Sequence, residues 1–190
     1  VTTSQPRPLR ADARRNRERL IEVAARAFGQ DGPEVTLEAV AKEAGVGIGT
    51  LYRHFATREE LVDAAYRSEL AKLCDSAAEL LDRMAPDAAL RAWMDGFVAY
   101  MSTKRGMSDA LRALVASGGD PFSHSRAMLT AAIGDLLWAG IAADVIRPDL
   151  EPEDVLFSLS GLSLAATTPE HRARMARLLD LLMDGFRHRP

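Results

Sequence analysis

Residues 50–55 read TLYRHF. A hydroxyl (Thr50), a phenol (Tyr52), a guanidinium (Arg53) and an imidazole (His54) stand close together there, and each carries a donor that phosphate oxygens accept. Gly45, Gly47 and Gly49 precede them, alternating with apolar residues in GVGIGT. Two kinds of chemistry use glycines placed this way. A glycine-rich loop cradles a nucleotide phosphate, or a tight corner presents a short helix to DNA. The first requires a preceding strand and either a third glycine in G-x-G-x-x-G or a G-K-S/T end. Thr50 stands where the dinucleotide pattern would continue, no lysine follows, and the preceding LEAVAKEA has helical spacing. The corner of a helix-turn-helix remains.

Other reactive side chains gather less. Ser123, His124 and Ser125 bring hydroxyls beside an imidazole, but no orienting acid or oxyanion donor set accompanies them, and adjacent helical residues diverge. His54, His124, His171 and His188 share no metal-ligand spacing with one another or with acids. Cys74 is the lone cysteine. It falls in helical register with Leu70 and Leu73, which suits packing, and a single thiol forms no internal disulfide, which points to an intracellular protein. No enzyme chemistry, cofactor or metal is expected.

The elements that must position TLYRHF are helices. Apolar residues recur at helical spacing almost everywhere, and no sustained strand alternation appears. Ile21, Ala24, Ala25 and Phe28 share one face of a helix expected from about Asp12 to Gly32-Pro33. Leu37, Val40, Ala41 and Ala44 repeat the spacing, with Thr36 as N-cap and Gly45 as left-handed stop. A third helix should carry Thr50 to Phe55, burying Leu51 and Phe55 and turning Tyr52 and His54 outward. Gly47 and Gly49 would leave its front bare and allow close approach to DNA, at about 1 kcal/mol each if both lie inside it. Thr57-Arg58-Glu59-Glu60 is a capping box that opens a fourth helix, expected to run to about Met84. Further helices are expected over residues 87–104 and 107–116, from an Asp120 cap with Pro121 at the first position to Ile146, and from Pro152 and Pro169. The total is about nine helices in an all-α fold.

Charge is uneven. The chain carries a net −3, yet residues 1–26 hold seven arginines against three acids. That suits either a solvated helix face or a phosphate-seeking arm. The longest apolar run, LLWAGIAA between Asp135 and Asp144, is too short to cross a bilayer, and the N-terminus shows no secretory signal, so no membrane partner is expected.

The stretches LIEVAARAF and VTLEAVAKEAGVGIGTLYRHFATREELV resemble the N-terminal domain of the TetR family of bacterial transcriptional regulators, over about residues 12–65. The resemblance implies a cytoplasmic, all-α homodimer, most often a repressor released from double-stranded operator DNA by a small-molecule effector. It implies a flexible basic arm (1–11), a three-helix DNA-binding domain (12–56) and a ligand-binding and dimerisation domain (57–190). Thr36 then corresponds to a phosphate-contacting cap, and Thr50, Tyr52 and His54 to recognition-helix contacts, with Arg53 beside them. Arg58 corresponds to a phosphate grip at the start of the fourth helix. Gly47 stands where many members have a serine cap, and Ile48 where many have a polar or basic base-reading residue. Ile48 is suited only to an apolar feature such as a thymine methyl. Specificity would then draw on Thr50, on DNA shape beside Gly47 and Gly49, and on the arginines of the arm, Arg7, Arg10 and Arg14.

Each of these residues also has a plainer role: Tyr52 as a core aromatic, His54 bonded within the protein, Arg58 as a surface charge. A helical ligand-binding or interaction module without DNA binding is the alternative for the whole chain. Farther along, Trp93, Phe97, Tyr100, Met101, Phe122, Met128 and Trp138 are candidates either for plain core or for the walls of the effector cavity that the resemblance implies. His124, Ser125 and Asp135 are polar candidates beside them. Two apolar stripes, Val155, Leu156, Leu159 and Leu162 with Gly161, Ala165 and Ala166, then Leu178, Leu179, Leu182, Met183 and Phe186, suggest a dimer surface built as a four-helix bundle, the alternative being that they pack only within their own chain.

Overall fold

The structure is a computed structural model that describes residues 7–122, 124–165 and 168–188. Among these residues are nine α-helices, a short 3-10 turn after the first, and no strand beyond an isolated antiparallel bridge between Ile146 and Arg187. The helices are α1 (Arg7–Asp31), α2 (Leu37–Glu43), α3 (Ile48–His54), α4 (Arg58–Leu81), α5 (Pro86–Gly106), α6 (Ser108–Ala116), α7 (Ser125–Ala142), α8 (Pro152–Ala165) and α9 (Pro169–Phe186).

The first helix begins earlier than the sequence pattern suggests. Residues 7–11, expected as part of a flexible arm, form its opening turn. Pro8 is no obstacle there, because the first turn of a helix has no intrahelical use for that N–H. Residues 1–6 lie outside the described residues, as do the side chains of Arg7 and Arg10.

The chain divides into two compact units, and the division does not fall in the expected loop after residue 56. One unit holds the chain up to Glu69 together with Thr103–Pro121; the other holds Leu70–Ser102 and everything from Phe122 on. The cuts therefore run through α4 and α5. A boundary sought in loops misses this, because α6 returns to the unit of α1–α3 long after the chain has left it.

In the first unit α1, α2 and α3 pack on one another. Leu20, Ala24 and Phe28 of α1, Val40 and Ala41 of α2, Leu51 of α3 and Phe55 are buried, joined by Leu61, Val62, Ala65 and Tyr66 of α4. The first helix turn of α4 is capped from both directions. Thr57 Oγ1 accepts from the Glu60 N–H at 3.1 Å, while Glu60 Oε2 accepts at 2.7 Å from the N–H of Ala56, one residue before the expected partner. The end of α5 crosses the end of α1 with almost nothing between the backbones. A Cβ on Gly106 would lie 2.0 Å from the Phe28 carbonyl oxygen, and one on Gly29 would lie 3.1 Å from the Thr103 hydroxyl.

The second unit is centred on α5. Trp93, Phe97 and Tyr100 form a buried row with ring centroids 5.8 and 6.1 Å apart, and the Trp93 indole donates to the Leu73 carbonyl at 2.9 Å. Cys74, half-buried beside this core, has its thiol pushed up to about 11, first by burial and then by the Asp75 carboxylate, which leaves it unreactive near neutral pH. Arg91 of α5 reaches Asp95 at 2.6 Å and Asp180 of α9 at 2.8 Å. Partial burial disfavours its charge, but the two carboxylates outweigh that and raise its pKa. α7 packs on α8, and α8 on α9. α7 starts at Ser125, not at Pro121, which lies in a turn with Asp120 beside it. It ends at Ala142, short of the expected Ile146, because Asp144 just beyond adopts a φ of 57° and reverses the chain.

The α1–α5 crossing yields a ranked prediction. Gly106→Ala drives a methyl into a backbone oxygen and is expected to lower stability by about 1–3 kcal/mol, as overpacking does. Gly29→Ala, whose new atom meets Thr103 tightly but needs a shift of only a few tenths of an ångström, should cost less. Urea midpoints of the two variants give the comparison.

Candidate nucleic-acid interface

The site is built on the corner between α2 and α3. Thr36 is the N-cap of α2: its backbone is extended, and its hydroxyl oxygen accepts from the Ala39 N–H at 3.1 Å. At the other end Gly45 has a φ of 68°, a conformation that a Cβ makes costly. Its N–H donates to Lys42 at 3.1 Å, and that of Val46 to Ala41 at 3.0 Å, which closes α2 and reverses the chain. Gly47 is the N-cap of α3 and gives no side-chain cap; its carbonyl receives the Thr50 and Leu51 N–H groups at 2.8 and 3.2 Å. Only Gly49 therefore sits inside the helix and carries the cost of a helical glycine.

Burial decides which face of α3 is presented. Leu51 and Phe55 point into the core. Ile48 (37% exposed), Gly49, Tyr52 (49% exposed) and Arg53 point out, while Thr50 and His54 sit half-buried on the flanks. Tyr52 is thus not a core aromatic. Among the described residues neither its hydroxyl nor the Arg53 guanidinium has a partner. His54 lies 6.5 Å from the Phe55 ring, tilted against it. No side chain stands within 4 Å of where a Cβ on Gly47 or Gly49 would be, so the front of α3 is open.

The arginines of α1 whose side chains are described divide into two sets that the sequence does not distinguish. Arg17 lies over the Phe55 ring at 4.9 Å, Arg19 reaches the Ala44 carbonyl at 3.5 Å, and Arg26 holds Glu43 at 2.6 Å. These three hold α2 and α3 against α1. Arg14 is exposed with a loose 3.6 Å contact to Glu18, and Arg15 pairs with Asp12. Of the arm candidates, then, Arg14 is placed on an open surface. The scaffold role of Arg17, Arg19 and Arg26 could have been suspected only from their partners on other helices, which spacing within α1 does not reveal.

Arg58, a candidate phosphate grip, is turned inward. Its guanidinium lies over the Phe28 ring at 4.7 Å and donates to the Val35 carbonyl, at the edge of a 260 Å³ cleft that Val62, Met107 and Ala113 also line. Its place on α4 is as expected, but its contacts are those of a clamp between α4, α1 and the loop before α2.

The candidates in the second unit separate as well. Trp93, Phe97 and Tyr100 are buried in one aromatic row, and Met101 is half-buried. Phe122 and Met128 are exposed, and Trp138 is 76% exposed on the outer side of α7, so it does not line a cavity with Trp93. His124 and Asp135 are exposed and Ser125 is buried. The proposed dimer stripes divide between the two sides of their helices. Val155, Leu156, Leu159, Leu179, Met183 and Phe186 are buried within the chain, and Leu162 and Leu182 are half-buried. Of the expected set Gly161, Ala165 and Leu178 face outward, and they are joined there by Phe157 and Leu164 of α8 and Leu181 of α9, which the sequence pattern did not single out. Both faces of these helices are apolar, so periodicity alone does not say which one the chain itself covers. Ala166 lies outside the described residues, as does the side chain of His171. Among the described residues no three His, Cys, Asp or Glu side chains gather as metal ligands do, and no helix is long and apolar enough to cross a membrane.

The inward Arg58 makes a prediction about folding. Arg58→Ala removes a ring contact and a charged hydrogen bond, and is expected to lower stability by about 1–3 kcal/mol in urea unfolding. A loss under 0.5 kcal/mol would leave the side chain free for a role at the surface.

Comparison with known proteins agrees with this geometry. A family model described as bacterial regulatory proteins, tetR family, matches residues 20–65, and one described as transcriptional regulator SbtR-like, C-terminal domain, matches residues 85–188. A TetR transcriptional regulator from Streptomyces coelicolor is 48% identical, with 92% of this chain and 99% of that chain covered and a TM-score of 0.86. A TetR regulatory protein from Mycobacterium vanbaalenii is 34% identical, covering 95% and 99%, with a TM-score of 0.76. An HTH-type transcriptional regulator of Staphylococcus aureus (strain USA300) is 44% identical over 54 residues, 28% of this chain and 29% of that protein, so the match spans less than a third of the curated relative's length. With both helical units matched and the corner at Gly45 in place, the chain belongs to the TetR family of bacterial transcriptional regulators.

Proposed function

We infer that the chain acts in the cytoplasm as a homodimeric repressor, binding operator DNA through α3 and released by a small molecule held in the second unit. The observation that carries this is the outward face of α3: Tyr52 and Arg53 offer unpartnered donors on a helix whose other face is fixed by Leu51 and Phe55. Thr36 and Thr50 flank it, and Arg14 adds positive charge from α1. These groups suit phosphate oxygens on either side of a major groove. An effector in the second unit has a covalent route to α3 through α4, whose residues belong to both units. It shifts binding only by its different affinity for the two states of the protein.

A dimer is supported by the outward faces of α8 and α9. An apolar set of Phe157 (80% exposed), Leu164, Leu178 and Leu181 (66% exposed) is more than scattered surface residues provide. On α9 the order of charge along that face is Arg174, Arg177, then Asp180, Asp184. An antiparallel pairing of two α9 helices about a two-fold axis near Leu179 sets Arg174 against the partner subunit's Asp184 and Leu178 against the partner's Leu181. Such self-complementarity is what an isologous interface requires. Two-fold symmetry then places two α3 helices on half-sites about 34–36 Å apart, or modestly more.

DNA affinity measured against salt tests the first part. Each phosphate contact contributes about −0.9 to the slope of log K on log salt. Tyr52→Ala is expected to weaken binding about 5- to 30-fold with the fold intact, the cost of one or two good hydrogen bonds. Binding to promoter DNA that is independent of salt, or indifferent to Tyr52→Ala and Thr50→Ala, contradicts the reading. Sedimentation equilibrium tests the second part. Leu181→Asp, which buries an unpaired carboxylate, should weaken self-association about 100-fold or more. Arg174→Asp should weaken it less, and Asp184→Arg added to that variant should restore part of the loss.

A further inference from the structure

We propose that α3 recognises a 5-methylpyrimidine: a thymine at one fixed position in each half-site, read by Ile48 with Tyr52 beside it, and replaceable there by 5-methylcytosine. The inference rests on the DNA-binding reading and specifies what that site selects.

Ile48 and Tyr52 are four residues apart on a helix and so lie one above the other on the exposed face. Ile48 leads. Its neighbours Gly47 and Gly49 present no side chain, and nothing of the protein stands within 4 Å of where one would be. With Leu51 buried and Thr50 half-buried on the flank, the most exposed side chain in the first turn of α3 is Ile48, and it has no hydrogen-bonding atom. In the major groove the one apolar feature among the four bases is the C5-methyl of thymine. An isoleucine pressed against any other base edge would desolvate N7, O6 or an amino group without returning a bond. No asparagine or glutamine occurs between Val46 and Phe55 to read adenine, and Arg53 alone can pair bidentately with guanine. The phenyl body of Tyr52 widens the apolar surface, while its hydroxyl remains free to reach a phosphate.

The same methyl occupies the same position on 5-methylcytosine. If Ile48 reads only that group, methylation of a cytosine at this position strengthens binding, a response that hydrogen-bond readout of the base edge does not give.

The test begins with duplexes selected from a random pool by the full-length protein. In the selected operator each thymine is replaced in turn by deoxyuridine, which removes the methyl alone. One position per half-site should lose about fourfold in affinity, and both together about 15-fold, from the transfer free energy of one buried methyl each. At that position a 5-methylcytosine·guanine pair should bind about fourfold tighter than cytosine·guanine. In Ile48→Ser the deoxyuridine penalty should fall within twofold of none, with the salt slope unchanged. Wild-type affinity that moves less than twofold at every thymine overturns the proposal, and that comparison needs no variant to fold. A penalty that persists undiminished in Ile48→Ser overturns the assignment to Ile48. A pool that yields no bound sequence at all would overturn the DNA-binding reading and this proposal with it, which separates the two failures.

Discussion

A helix of seven residues with a glycine in its first turn has almost no stability of its own, since nucleation is unfavourable and short helices in water are marginal. What holds α3 is the burial of Leu51 and Phe55 against α1 and α2. That one anchorage fixes both the existence of the helix and its rotation about its axis. With those two residues inward, Ile48, Gly49, Tyr52 and Arg53 have no choice but to face solvent. The left-handed Gly45 sets where α3 starts relative to α2, and the Thr36 cap fixes where α2 starts. Which side chains α3 exposes is therefore decided by residues outside the exposed face itself.

The arginines show how a basic segment is divided between structure and recognition. Arg17 on the Phe55 ring, Arg19 on the end of α2, Arg26 on Glu43 and Arg58 on the Phe28 ring all brace the small three-helix core. The stacked pair also covers aromatic surface with long aliphatic stems, which a core this thin needs. Among the described side chains of the arginines discussed for DNA, Arg14 and Arg53 remain on open surface. The excess of positive charge near the N-terminus is thus partly an internal device, and its size overstates the charge available to a phosphate backbone.

Much of this was legible in the residues. The α2–α3 corner, the Thr36 cap, the Thr57 capping box and the burial of Leu51 and Phe55 follow from local rules that involve neighbours within four positions. What was not legible depends on contacts between distant segments. The inward turn of Arg58 needs Phe28 and Val35, which lie on other elements. The outer position of Trp138 needs to know which side of α7 meets α8, and the composition of α7 is apolar all round. On α8 and α9 the more continuous stripe, from Leu156 to Leu159 and from Leu179 to Met183, proved to be the one the chain itself buries. The shorter stripe through Phe157 and Leu181 was left outside. Helix length erred for a similar reason: Asp144 reverses the chain in a left-handed conformation that no glycine announces.

The discontinuity of the first unit bears on modularity. Regulators of this shape invite the grafting of one protein's reading head onto another's sensor, with a seam chosen in the loop before α4. Here such a seam would separate α1–α3 from Thr103–Pro121, the segment that returns to seat Gly106 on the end of α1. A portable cassette must carry that segment along, or the recipient must supply an equally bare residue at the same crossing. A chimera made from this chain is therefore constrained by a region that sequence order assigns to the donor's other half.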